Sequence, residues 1–153
     1  MPEPPPPPTT WTVNHQYFVH VPPKSVFEAF STPEQLVRWM SDTAEIELRE
    51  GGRYALGWKN GPTHRGTVLE FVPGRSVTLS WDWPNVDLHG TRFKLAVEPK
   101  DDGALFFVEH SGFPAQARWG ELYGGAEWGW TFFAMNLKSV LETGWDLRTP
   151  LDG

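Results

Sequence analysis

The hydrophobic period of this chain changes along its length, and that change limits the available folds more than any other feature. Between residues 43 and 111 apolar and polar side chains alternate with a period of two. Turn signals interrupt the alternation at Gly51-Gly52, Asn60-Gly61, Pro73-Gly74, Pro84-Asn85 and Asp101-Asp102-Gly103. The pieces between them predict six strands, 43–50, 53–59, 64–72, 75–83, 89–99 and 104–111. Connections this short join antiparallel neighbours, so a meander is expected. From about residue 120 to Thr143 the period becomes 3.6, and Trp130, Phe133, Ala134, Leu137, Val140 and Leu141 form one stripe. A helix of that length, rising about 1.5 Å per residue, crosses a whole small sheet. Gly144 suits its C-terminal cap.

The alternation assigns the two faces of the sheet. Val77, Leu79, Trp81 and Trp83 share one face, with Ser76, Thr78, Ser80 and Asp82 on the other. Phe93, Leu95 and Val97 likewise oppose Arg92, Lys94 and Glu98, so one face is buried and one faces water. The last strand is less clean: Phe106, Val108 and His110 alternate with Leu105, Phe107 and Glu109. Either this strand is covered on both sides, or Leu105 and Phe107 belong to a partner surface, with a homodimer as one such assembly.

Ahead of the meander, 11–21 mixes aromatic, β-branched and polar residues and predicts a first strand, ended by Pro22-Pro23. A short amphipathic helix follows over 24–30, with Val26, Phe27 and Phe30 on one face. A second is expected over 33–39, with Thr32 as cap and Pro33 as its first residue. Residues 1–10 form a proline-rich tail, because a proline run favours extended polyproline II and enters neither ladder nor helix interior. The domain proper spans 11–145, and 146–153 is a C-terminal tail. The fold class is therefore α+β: about seven antiparallel strands in a curved sheet, two short helices after the first strand, and a long C-terminal helix.

The chain's 153 residues suit one domain. It has no cysteine, which excludes disulfides, thiolate nucleophiles and cysteine-ligated metal centres, and fits a cytoplasmic location. A net charge of −6 with 13 Lys+Arg lacks the basic footprint of a nucleic-acid binder. No apolar stretch is long enough to span a membrane, and the N-terminus does not read as a secretory signal. The unusual count is nine tryptophans. They either fill the core or line an aromatic cavity.

Local motifs occur in a distinctive order. Residues 21–30 (VPPKSVFEAF) read as a strand-to-helix entry, 32–39 (TPEQLVRW) as a second helix and 50–54 (EGGRY) as a first hairpin. Gly66-Thr67-Val68-Leu69-Glu70 and Leu79-Ser80-Trp81 read as middle strands. His110-Ser111-Gly112, then Gly129-Trp130, Leu137-Lys138 and Leu141-Glu142, read as closing strand and helix. In this order they resemble the SRPBCC or START-like superfamily, the helix-grip fold shared with birch-pollen allergen-like proteins. The closer resemblance is to the family named for the C-terminal domain of the activator of Hsp90 ATPase. It covers residues 13 to about 143. The resemblance implies a cavity between the long helix and the sheet without fixing a ligand, since similar folds serve lipid carriers, hormone receptors, aromatase/cyclases and co-chaperones.

The side chains themselves do not assemble catalytic chemistry. His15, His20, His64, His89 and His110 are scattered, with no helical i,i+4 zinc spacing, so no metal or cofactor is expected. Ser80 and Ser111 lie in no nucleophile elbow, and Glu45, Glu47, Asp101 and Asp102 read as solvated edge or turn charges. Gly124-Gly125 weakens the long helix, which either begins near Ala126 or flexes there as a portal. What remains is aromatic: Trp39, Tyr54, Trp58, Trp81, Trp83, Phe93, Trp130 and Phe133 point inward, and His110 shares their face, either as a core histidine satisfied by a neighbouring backbone group or tryptophan, as a polar anchor for a ligand, or as a general base. The expectation is a non-catalytic domain binding a small hydrophobic or aromatic molecule. A co-chaperone-like interaction domain is the alternative, and a cyclase/aromatase-like enzyme the second.

Overall fold

The computed structural model describes residues 2–7 and 9–149. Met1 and Pro8 of the proline-rich tail, and 150–153 of the C-terminal tail, lie outside the described residues. Seven strands form one sheet: β1 (Thr10–Val19), β2 (Thr43–Ile46), β3 (Arg53–Gly57), β4 (Thr63–Val72), β5 (Ser76–Trp81), β6 (Thr91–Lys100) and β7 (Gly103–Pro114). Their order is β1-β7-β6-β5-β4-β3-β2, antiparallel throughout. The meander is as the turn signals imply. The pairing of the first strand with the last is a long-range contact, with His15 opposite Val108 and Tyr17 opposite Phe106.

Helices α1 (Pro23–Ala29) and α2 (Pro33–Leu36) follow β1, and α3 (Gly120–Thr143) follows β7 after a 3₁₀ turn at Ala117–Trp119. Thr32 caps α2, its hydroxyl oxygen accepting from the Gln35 amide at 3.2 Å. Gly144 ends α3 at φ +79°, its N–H reaching the Val140 carbonyl at 3.0 Å; that left-handed position is one a side chain would strain. The helix-grip architecture is thus the one observed. Among the described residues no helix is long and apolar enough to cross a membrane.

The departures from expectation have local causes. β2 stops at Ile46 rather than residue 50, because Gly51, at φ +79°, turns the chain and gives its N–H to the Val68 carbonyl. α2 is one turn shorter than 33–39. α3 runs unbroken through Gly124-Gly125 rather than starting at Ala126. Its first turns are held by Tyr123, whose ring packs on Trp11 and Phe113 and whose hydroxyl donates to the Thr12 carbonyl at 3.2 Å. That packing outweighs the helix penalty of about 1 kcal/mol per glycine.

The core lies between the concave face of the sheet and α3. Val77, Leu79, Trp81, Phe93, Leu95, Val97, Phe106 and Val108 supply the sheet side. Trp130, Ala134, Leu137 and Val140 supply the helix side. Ser76 and Thr78, expected in water, are buried, Thr78 lying directly between Glu70 and Lys94 of the two neighbouring strands. Leu105 and Phe107 are half-buried among the cross-strand partners Phe18, Glu98, Gln16 and Ala96.

The segment read as a C-terminal tail returns to the fold as far as Thr149. Buried Asn136 donates to the Trp39 carbonyl (2.9 Å) and to Asp146 (3.0 Å) and accepts from the Leu147 amide (2.7 Å). The Arg148 guanidinium reaches the carbonyls of Val37, Met40 and Ser41 at 2.7, 3.1 and 3.0 Å. It also pairs with Asp146 and holds that carboxyl down to about 2.

Candidate functional site

Helix and sheet part at one end and leave a cleft of about 590 Å³, within the usual range for small-molecule sites. The helical wall is Leu122, Gly125, Ala126, Gly129, Trp130 and Phe133, spaced i, i+3, i+4, i+7, i+8 and i+11 on one face. Its small residues hold the cleft open: a Cβ added at Gly125 or Gly129 would meet nothing within 4 Å. The opposite wall is Trp58 and the Asn60-Gly61-Pro62 turn, His64 of β4, Trp81 and Trp83, and His110 of β7. Asp42 and Glu121 complete it, and among the described residues no Lys or Arg lines it.

The aromatic walls brace one another. Trp81 packs edge-on to Trp130 at 5.2 Å, Trp58 meets Phe133 at 6.0 Å, and Trp83 lies nearly parallel to His110 at 5.5 Å and 5°. The indole N–H of Trp58 donates to the Met40 carbonyl at 3.1 Å. Rings held this way are presented as fixed surfaces.

Six of the nine expected ligand-binding residues line this cleft: Trp58, Trp81, Trp83, His110, Trp130 and Phe133. Trp39, Tyr54 and Phe93 do not. Trp39 is a core residue whose N–H donates to the Ala29 carbonyl at 2.7 Å. Tyr54 lies behind the wall, stacked on Trp81, its hydroxyl donating to the Ser80 carbonyl. Burial, then the Asp82 charge, pushes its phenol pKa upward. Phe93 lies beneath Trp130, stacked at 3.9 Å. Inward direction alone did not separate core rings from cleft rings.

His110 is wholly buried. Its Nδ1 accepts from the Trp130 indole N–H at 2.9 Å, while its Nε2 has no partner among the described residues. Burial, and secondarily His64, holds its pKa down to about 3, so it is neutral. A buried polar atom without a partner costs about 1–3 kcal/mol, and in a native structure it calls for an explanation.

His64 was not singled out from sequence. Its ring stacks on Trp81 at 4.5 Å, and its Nδ1 lies 3.0 Å from the Asp82 carbonyl. Burial lowers its pKa against the opposing pull of that carbonyl. The available signal was the strand period, since His64 shares the inward face of β4 with Gly66 and Val68. The other histidines make surface contacts, His15 to Glu127, His20 to Asp102 and His89 to Asp82 and Asp87. Among the described residues no group of three or more His, Asp or Glu is placed to hold a metal.

A long helix gripping a curved antiparallel sheet, with a cleft at the open end, defines a helix-grip domain of the SRPBCC class. Within that class, residues 20–142 match the family model described as activator of Hsp90 ATPase homolog 1-like protein, and the chain belongs to that family. Similar solved structures agree on the fold. A Mesorhizobium loti protein matches with a TM-score of 0.78 at 23% identity over 92% of this chain and 100% of its own. The Aha1 dimer of Colwellia psychrerythraea matches with a TM-score of 0.75 at 19% identity over 88% and 98%. An AHSA1-like protein of Rhizobium etli matches with a TM-score of 0.71 at 26% identity over 95% and 92%. No curated protein matches the chain.

Proposed function

We propose that this domain binds a small, flat hydrophobic or aromatic molecule in the cleft between α3 and the sheet, without chemical conversion of it. The observation that carries this reading is a cleft of about 590 Å³ walled by four tryptophans and Phe133. Rigid aromatic faces favour a planar guest by dispersion and stacking at small entropic loss. The glycines of α3 support the same reading, since Gly125 and Gly129 give up helix propensity where a larger residue would occupy the cleft.

The test is titration with Nile red, a neutral planar dye, of the wild type and of Gly129→Phe. A Cβ at Gly129 meets nothing within 4 Å, so the new side chain starts on the cleft wall without a clash and is expected to occupy the cleft. Wild type is expected to bind the dye in the micromolar range and the variant at least tenfold more weakly, with unchanged circular dichroism. Equal binding by both would place the dye elsewhere and refute the reading. Native mass spectrometry before and after denaturation then identifies any molecule carried from the cell.

A second reading concerns assembly. The Colwellia relative is described as a dimer. Leu105 and Phe107, half-buried on the outer sheet face, are the proposed contact for a homodimer here. Leu105→Thr with Phe107→Thr is expected to shift sedimentation from dimer to monomer. A wild type that sediments as a monomer at high concentration rules the contact out.

A further inference from the structure

The C-terminal segment that returns to the fold reaches the cleft wall through one bend of chain. The Arg148 side chain is largely enclosed, and its planar fork of five N–H groups is matched by five contacts. Nε and Nη2 donate to the Asp146 carboxylate, Nη2 also to the Val37 carbonyl, and Nη1 to the carbonyls of Met40 and Ser41. Buried Asn136 donates to the Trp39 carbonyl between them and accepts the Leu147 N–H. The bend between α2 and β2 is thus held by the carbonyls of Val37, Trp39, Met40 and Ser41. Residues 40–42 in turn hold Trp58 at three points. The Met40 carbonyl accepts the Trp58 indole N–H at 3.1 Å alongside Arg148. The Asp42 N–H donates to the Gly57 carbonyl at 2.8 Å, and the Asp42 carboxylate accepts the Lys59 N–H at 2.8 Å. Trp58 then packs on Phe133 at 6.0 Å and on His64 at 5.8 Å in the cleft wall. Asp146, Leu147 and Arg148 are not themselves among the lining residues.

We infer that Asp146–Arg148 is a clasp that positions the Trp58 wall, with Arg148 as the positioning residue, and that docking of the clasp and occupancy of the cleft reinforce each other. This rests on the reading of the cleft as a ligand site. Removing the guanidinium leaves the carbonyls of Val37, Met40 and Ser41 short of a donor beside a residue, Ser41, that is wholly enclosed, so the bend must rearrange. Met40 and Asp42 carry Trp58 with them, and a guest then has to order a ring that the clasp now holds ready. Linkage makes the effect mutual: a guest braced on Trp58 tightens the clasp by the factor by which the clasp tightens the guest. Lysine cannot stand in for Arg148, because an ammonium is a point charge with three donors and cannot span three carbonyls and a carboxylate.

Nile red titration and amide exchange on the full chain test this. Arg148→Gln and Arg148→Lys are both expected to bind the dye about fivefold or more weakly than wild type. Both should also shift the Trp58 indole N–H resonance, identified by its absence in Trp58→Phe. Val97→Ala, a buried truncation outside cleft and clasp, should lower stability and leave dye affinity and that resonance unchanged. In the wild type, saturating dye should slow exchange of the Leu147 amide by a comparable factor, while the Arg75 amide in the turn between β4 and β5 stays as it was. That wild-type measurement decides the matter even if an Arg148 variant fails to fold. Arg148 variants that bind the dye as wild type does, an equal weakening in Val97→Ala, or Leu147 exchange indifferent to dye overturns the inference. The cleft reading then still stands on the contrast between wild type and Gly129→Phe. Failure of Nile red to bind the wild type removes both.

Discussion

Replacing His110 by Phe should remove a large part of the acid sensitivity of this protein, and the magnitude follows from the burial of one ring. His110 is fully enclosed, and its pKa is held down from 6.5 to about 3. Its folded-state value lies below its unfolded value. The stability it confers is therefore complete above about pH 6.5 and is lost as pH falls toward 3, because the unfolded chain takes up a proton that the native ring refuses. Between about pH 7.5 and about pH 5 that loss is about 2 kcal/mol. His64, also held down by burial, titrates in the same direction but is present in both proteins, so it largely cancels in the comparison. The substitution also removes the acceptor of the Trp130 N–H, a penalty of about 1–3 kcal/mol that does not depend on pH. Urea unfolding of both proteins at the two pH values separates the contributions. The wild type should lose about 2 kcal/mol more than His110→Phe on acidification. Parallel losses would mean that the ring is charged or solvated in the native state, and would refute the argument.

Two other changes are informative. Gly124→Ala, at an exposed position in α3 where the new methyl meets nothing within 4 Å, should raise stability by about 0.5–1 kcal/mol in thermal unfolding and leave dye binding unchanged. Asn136→Ala removes both donors to Trp39 and Asp146 and the acceptor of the Leu147 amide. It should cost about 2–4 kcal/mol and speed amide exchange at Leu147.

Much of the architecture was legible because it is written in local periods. The six-strand meander follows from turn residues at fixed intervals, and the long helix from the stripe at Trp130, Phe133, Ala134 and Leu137. The cap at Thr32 and the stop at Gly144 are side-chain and backbone effects within one turn. The cleft was legible in part. Six of its aromatic and imidazole residues share the inward phase of their elements, but so do Trp39, Tyr54 and Phe93, which serve the core. The small residues of the helical wall were missed, because Gly125, Ala126 and Gly129 do not register as an apolar stripe although they occupy the same face as Trp130 and Phe133.

The sequence by itself determined which segments are strand or helix and which face of each is apolar. Those properties depend on side chains a few positions apart, whose relation the backbone geometry sets in advance. Tertiary structure alone decided the pairing of β1 with β7, the return of Arg148 to α2, and the packing of His64 and His110, 46 positions apart by number, against the one ring of Trp81. It also decided which tautomer each ring holds, since that depends on whether its Nδ1 faces the Asp82 carbonyl or the Trp130 indole N–H. Strand register brings such partners together, and register is a cooperative result of packing the whole sheet against one helix.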